Sequence, residues 1–104
     1  MFSINSQTND DGSVVLRLSG HFDFNAYTEF KPYQVKALDT PGVKRIIVDM
    51  TKLDYLDSAA LGTLLLLREK AMVRNIEVAL RGAQGVVREI IDIAHFERMF
   101  RFVD

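Results

Sequence analysis

The stretch from Arg45 to Asn75 constrains the fold more than any other part of the chain. A β-type run, Arg45 to Met50, passes through a short polar connection into Ser58. Ser58 opens a leucine-rich helix that is expected to run to about Arg74, with Asn75 as a suitable stop. A second β-type run, Ile76-Glu77-Val78-Ala79-Leu80, follows and ends at Arg81-Gly82. Two strands joined through a helix need a crossover connection, which pairs the strands in parallel and lays the helix on the sheet.

The flanking segments extend this pattern. Phe2, Ile4 and Ser6 alternate with polar neighbours up to a turn at Asn9-Asp10-Asp11-Gly12, and Val14 to Leu18 reads as a second strand, so a hairpin is expected. Gly20-His21-Phe22-Asp23-Phe24 leads to Asn25, the expected N-cap of a helix running to about Leu38. Pro32 inside that helix predicts a kink or a restart, because proline removes a donor and crowds the preceding turn. Thr40-Pro41-Gly42 punctuates before a strand that begins near Val43 and ends at Met50. Val86, Val87, Ile90, Ile91 and Ala94 recur at helical spacing, which predicts a last helix from about Gln84 to Ala94 with His95 terminating it. The tail from Phe96 is long enough for a turn and a terminal strand. The order β-β-α-β-α-β-α predicts an α/β fold, a single domain over residues 1–104, with a mixed sheet of four or five strands and the helices mainly on one face.

Composition removes whole classes of function. A chain of 104 residues supports one core. Thirteen basic residues against fourteen acidic ones give a net charge of −1, which argues against nucleic acid as a partner. There is no cysteine, so disulfides, thiol nucleophiles and thiolate metal sites are out, in keeping with a reducing compartment. The longest uninterrupted apolar run, Leu64 to Leu67, is far short of the roughly 20 residues of a membrane span. No basic segment followed by an apolar run stands at the N-terminus. A cytoplasmic protein without membrane insertion is expected.

Catalytic patterns are missing as well. His21 and His95 are the only imidazoles, and no His/Asp pair has ligand spacing, so no metal site is expected. Asp23, Asp49, Asp54 and Asp57 could hold Mg²⁺ weakly, although a solvated loop is the commoner explanation of such a group. A Ser58/His21/Asp23 hydrolase arrangement lacks the Gly-x-Ser-x-Gly elbow. Neither a Gly-x-x-x-x-Gly-Lys loop nor a Gly-x-Gly-x-x-Gly turn occurs. The chain is read as a non-enzyme without a cofactor.

Ser58 admits two readings. A serine before a helix commonly caps it, and the first N–H groups there lack intrahelical acceptors and sit at the positive end of the helix dipole. The same place holds a phosphate with little strain. Thr51, in the loop, and Thr63, inside the helix, are weaker acceptors. Along the helix, Ala60, Leu61, Leu64, Leu65, Leu67, Ala71 and Met72 form a broad apolar arc expected to face the sheet, with the Arg68 guanidinium snorkelling outward. Ser58, Gly62, Leu66, Glu69 and Val73 lie on another arc. Leu66 and Val73 there suit a partner-docking stripe, or else the core arc is wide and Val73 tucks under the following strand.

Asp57-Ser58-Ala59-Ala60-Leu61-Gly62 resembles the signature of the STAS domain, the family of anti-sigma factor antagonists. The turn Gly20-His21-Phe22-Asp23 and the element order match it too, so the resemblance covers nearly the whole chain. Two departures are Ala60, where many members carry glycine, and the lack of a final helix that many members have. The resemblance implies a bacterial partner-switching regulator, a phosphoprotein of signal transduction and transcription regulation. Its unphosphorylated form would bind an anti-sigma factor or serine protein kinase, which supplies Mg-ATP and phosphorylates Ser58, and a PP2C-type phosphatase would reverse the change. Asp23 and Asp57 would be the acidic residues flanking the phosphosite, and Gly62, Leu66, Glu69 and Val73 the docking surface of a monomer or weak dimer. Two other readings of such a domain stay open. One is a constitutive, unphosphorylated subunit of a lipid-transport ABC complex. The other is a nucleotide-binding module, for which no distinguishing loop is present.

Overall fold

A computed structural model describes residues 1–104. Strand β1 (Phe2–Thr8) turns back into β2 (Ser13–Phe22); a 3₁₀ turn (Phe24–Ala26) leads into helix α1 (Tyr27–Leu38). Then come β3 (Arg45–Leu56), α2 (Ser58–Val73), β4 (Glu77–Arg81), α3 (Gly85–Ile93), a 3₁₀ turn (Phe96–Arg98) and β5 (Arg101–Val103). The sheet order is β1-β2-β3-β4-β5, with β1 antiparallel to β2 and the other neighbours parallel. The expected mixed sheet therefore has five strands.

This topology explains why one face is covered. From β2 to β5 each crossover moves one strand in the same direction, and connections of one hand then fall on the same side of the sheet. Val14, Leu16 and Leu18 of β2, Ile46, Val48 and Met50 of β3, and Val78 and Leu80 of β4 join one core with Phe30 of α1, Leu64 and Leu67 of α2, and Val87 and Ile91 of α3. Phe22 lies between Phe2 and Phe30, with ring centroids at 5.1 and 5.4 Å, and this stack locks the hairpin to α1. The opposite face carries only a small cluster, Val15, Ile47 and Ala79. Its neighbours in register are charged and paired: Arg45 with Glu77 at 3.0 Å, and Arg81 with Asp49 at 3.0 Å.

Several expectations need correction. Strand β2 continues past Leu18 to Phe22, so Gly20 to Phe22 is strand rather than turn. Gly20 has φ +84°, and a Cβ there would lie 1.7 Å from the Met1 carbonyl oxygen, so the strand passes this point only as glycine. Strand β3 continues past Met50 to Leu56, where a polar connection was expected. Register shifts opposite Arg17/Ser19 and Gly20/His21 each place one extra residue in β3. The inward positions become Met50, Leu53 and Leu56, at a spacing that neither a strand nor a helix period reveals. Helix α1 runs through Pro32 without a restart, since Thr28, whose carbonyl loses its partner, and Pro32 itself are exposed to water. Met72 is 56% exposed and leaves the core arc. Arg68 does not reach outward; its Nε donates to the Met99 carbonyl at 2.6 Å and pins the segment before β5. Asn75 and His95 take left-handed φ of 57° and 58°, which ends α2 and α3 as expected.

Gln34 of α1 is fully buried, and neither its Oε1 nor its Nε2 meets a protein hydrogen-bond partner. Desolvating an unpaired amide costs about 1–3 kcal/mol. Gln34→Met, a near-isosteric change, is expected to raise stability by about 1–2 kcal/mol in a denaturant titration. A fall in stability instead would mean that the amide is satisfied in solution.

Candidate functional site

Ser58 is the first residue of α2, not its cap. The cap is Asp57, whose extended backbone (φ −108°, ψ −177°) turns its carboxylate over the helix start so that Oδ1 accepts from the Ala60 N–H at 2.9 Å. The first helical bond, from Leu61 N–H to the Asp57 carbonyl, is 3.1 Å long. Ser58 is thereby relieved of the capping role. Its side chain is exposed, and its hydroxyl engages no group of the chain.

The second oxygen of Asp57 reaches another element. Oδ2 accepts from the backbone N–H of Phe24 at 3.2 Å, tying the 3₁₀ turn before α1 to the start of α2. Asp23 caps that turn, with Oδ1 accepting from Asn25 and Ala26 at 3.0 and 3.2 Å. The expected cap, Asn25, is instead one of the donors. Asp23 and Asp57 are both caps, and the bond from the Phe24 N–H to Asp57 links the turn that Asp23 caps to the start of α2. Phe24, not singled out in the sequence, is 69% exposed there.

His21 Nδ1 pairs with Asp54 Oδ1 at 2.8 Å and its ring lies 5.9 Å from that of Tyr55, while Asp23 Oδ1 holds the turn before α1. The Thr51 hydroxyl donates to Asp49 at 2.6 Å. Thr63 is 8% exposed and donates to the Ala59 carbonyl at 3.1 Å. Asp49 is held in the ion pair with Arg81. Burial pushes its carboxyl up, but bonds from the Thr51 hydroxyl and N–H and from the Arg81 guanidinium outweigh that and hold it below the usual carboxylate range.

Beyond Ser58, the outer side of α2 presents Gly62, Leu66, Glu69 and Val73 to solvent. Val73 is 87% exposed and does not tuck under β4; Leu66 is 36% exposed. A Cβ added at Gly62 would meet nothing within 4 Å, so internal packing does not require glycine in mid-helix. A concavity of about 400 Å³ lies elsewhere, at the carboxyl ends of the parallel strands, lined by Thr51, Arg81, Arg88 and Phe102 among others. No helix is long and apolar enough to cross a membrane.

A family model described as STAS domain matches residues 3–104. A STAS-domain containing protein of Pseudomonas aeruginosa (strain UCBPP-PA14) is 37% identical over 92 residues, 88% of this chain and 89% of that one. The anti-sigma factor antagonist SpoIIAA in its unphosphorylated form has a TM-score of 0.76 at 20% identity, covering 98% of this chain and 88% of that one. A sulfate transporter family protein from Wolinella succinogenes has a TM-score of 0.74 at 18% identity, covering 92% and 80%. Those two structures attest the shared fold, while the family match and the Pseudomonas relative carry the kinship: the chain belongs to the STAS domain family.

Proposed function

We propose that this protein is a partner-switching regulator of the anti-sigma factor antagonist kind, controlled by reversible phosphorylation of Ser58. The observation that carries this reading is the exposed Ser58 hydroxyl at a helix start whose capping role is already filled by Asp57. A kinase active site can enclose such a hydroxyl without unfolding the helix. The partner, an anti-sigma factor or serine kinase with its own Mg-ATP, binds the unphosphorylated form. Ser58 Oγ attacks the γ-phosphorus, its proton passes to a base of the kinase, and ADP leaves. The product gains about −1.5 to −2 charge at neutral pH. With Asp57 on the Ala60 N–H and Asp23 capping the 3₁₀ turn before α1, the new charge adds to two carboxylates that the partner has to cover. Repulsion and desolvation then loosen the complex while the fold persists. A PP2C-type phosphatase restores binding.

The reading is tested by incubating the protein with its cognate serine kinase and Mg-ATP. Intact-mass measurement should show one phosphate, absent in Ser58→Ala. Phosphate on Thr51 or Thr63 would overturn the site. No phosphate, together with stable association with a transport ATPase, would favour the constitutive-subunit reading, which the shared fold with a transporter protein keeps in view.

The solvent-facing stripe of α2 supplies a second expectation. Gly62→Ala should stabilise the domain by about 0.5–1 kcal/mol, because glycine in mid-helix is costly and the methyl group has open space. If Gly62, Leu66, Glu69 and Val73 form the docking surface, the same methyl group should weaken kinase binding. A Gly62→Ala protein that is more stable and binds equally well would move the docking surface off this side of α2.

A further inference from the structure

Phe24 is 69% exposed, whereas Phe2, Phe22, Phe30, Phe96 and Phe100 are buried. A phenyl ring in water forgoes about 25 cal/mol for each Å² left unburied, and a 3₁₀ turn at this place accepts a polar residue equally well. The ring is not on a loose loop. Its backbone N–H is held by Asp57 Oδ2, and the two following N–H groups are held by Asp23. One hydrogen bond therefore joins Phe24 to the residue that precedes Ser58.

We propose that Phe24 is the aromatic anchor of the surface that receives the serine kinase, fitting an apolar pocket bordered by cationic side chains. This rests on the reading of Ser58 given above and adds a residue and a partner chemistry to it. A protein that encloses the Ser58 hydroxyl also meets the turn that Asp57 ties beside it. The charge around the ring selects the partner's chemistry. Asp23, which precedes Phe24 in the chain, and Asp57, which holds its N–H, have no ion-pair partner in the chain. A partner that covers these carboxylates must bring cations, and an aromatic side chain inside such a polar rim is where truncation weakens an interface most.

The test is photocross-linking in the cell that makes the protein, with benzoyl-phenylalanine in place of Phe24 or, in a second chain, of Ile93. Ile93 is 78% exposed and serves as an apolar control. Position 24 should yield an adduct identified by mass spectrometry as an ATP-binding serine kinase, lost when Ser58→Asp is added; position 93 should yield none with that kinase. With the kinase so identified, Phe24→Ala should lower affinity about ten-fold or more in calorimetry while its melting temperature stays near wild type. An adduct of two copies of this chain, an adduct with another class of protein, an adduct indifferent to Ser58→Asp, no adduct at 24, or unchanged affinity of Phe24→Ala each overturns the anchor. Phosphate on Ser58 is read separately. Its presence without a kinase adduct at 24 removes the anchor and leaves the switch standing, and its absence along with the adduct removes both.

Discussion

Ser58→Asp is expected to leave the domain folded and to lower affinity for the serine kinase about ten-fold or more, equivalent to about 1.4 kcal/mol. Ser58→Ala should bind at least as well as wild type and accept no phosphate. The two substitutions separate charge from packing, because Ser58 is exposed and its hydroxyl holds nothing in the chain together. A carboxylate in the first turn of α2 interacts favourably with the helix dipole by about 0.3–1 kcal/mol, so thermal stability should stay level or rise slightly. The fall in affinity arises in the complex, where the partner must desolvate a third carboxylate beside Asp23 and Asp57. Calorimetry on the three proteins at one ionic strength reads this directly. Equal affinities for wild type, Ser58→Ala and Ser58→Asp would place the binding surface away from the start of α2.

Elements that carry their own period were legible in the sequence. In α2, Leu64, Leu67 and Ala71 are buried at helical spacing, and the helix ends at Val73, one residue from the expected Arg74. In α3, Val87 and Ile91 do the same between Gly85 and Ile93. The second half of β3 was not legible, because Thr51 to Leu56 acquire their strand conformation from pairing with Ser19 to Phe22 across two register shifts. Neither a propensity nor an alternation within six such residues records a partner strand thirty residues away. The caps were misassigned by one or two positions for a related reason. Asp57 and Ser58 both belong to the residue types that cap helices, and only the backbone at Asp57 decides that it is the one outside the first turn. Likewise Asp23, not Asn25, caps the chain entering α1, since a 3₁₀ turn precedes the helix. The expectation that Asp23 and Asp57 flank Ser58 came through the family pattern, whereas Phe24 was hidden because an apolar residue after a strand reads as core until the turn around it is seen. Exposure of Val73 was open in the sequence, and the structure decides for solvent.

Asp57→Ala is expected to cost about 1–2 kcal/mol, since one substitution removes a helix cap, worth about 0.5–2 kcal/mol, and a second, water-accessible backbone bond that adds a smaller amount. The cap is the bond from Ala60 N–H to Oδ1 at 2.9 Å, and the second is the bond from Phe24 N–H to Oδ2 at 3.2 Å. For a domain of this size such a loss lowers the melting temperature by roughly 10 °C. Asp57→Ser separates the two parts: a serine hydroxyl can cap α2 but is too short to hold Phe24 as well. Its stability should fall between those of Asp57→Ala and wild type. Amide exchange should accelerate at Ala60 and Phe24 in Asp57→Ala, and at Phe24 alone in Asp57→Ser. The functional consequence follows from the same geometry. With both bonds gone, Ser58 and the turn bearing Phe24 are no longer held side by side, so phosphorylation by a limiting amount of kinase should slow even where the protein remains folded. A melting temperature for Asp57→Ala within a degree or two of wild type would show that the two bonds contribute little in water. Asp57→Ser matching wild type in both stability and exchange would show that the link to Phe24 is dispensable, and the switch would then depend on the start of α2 alone.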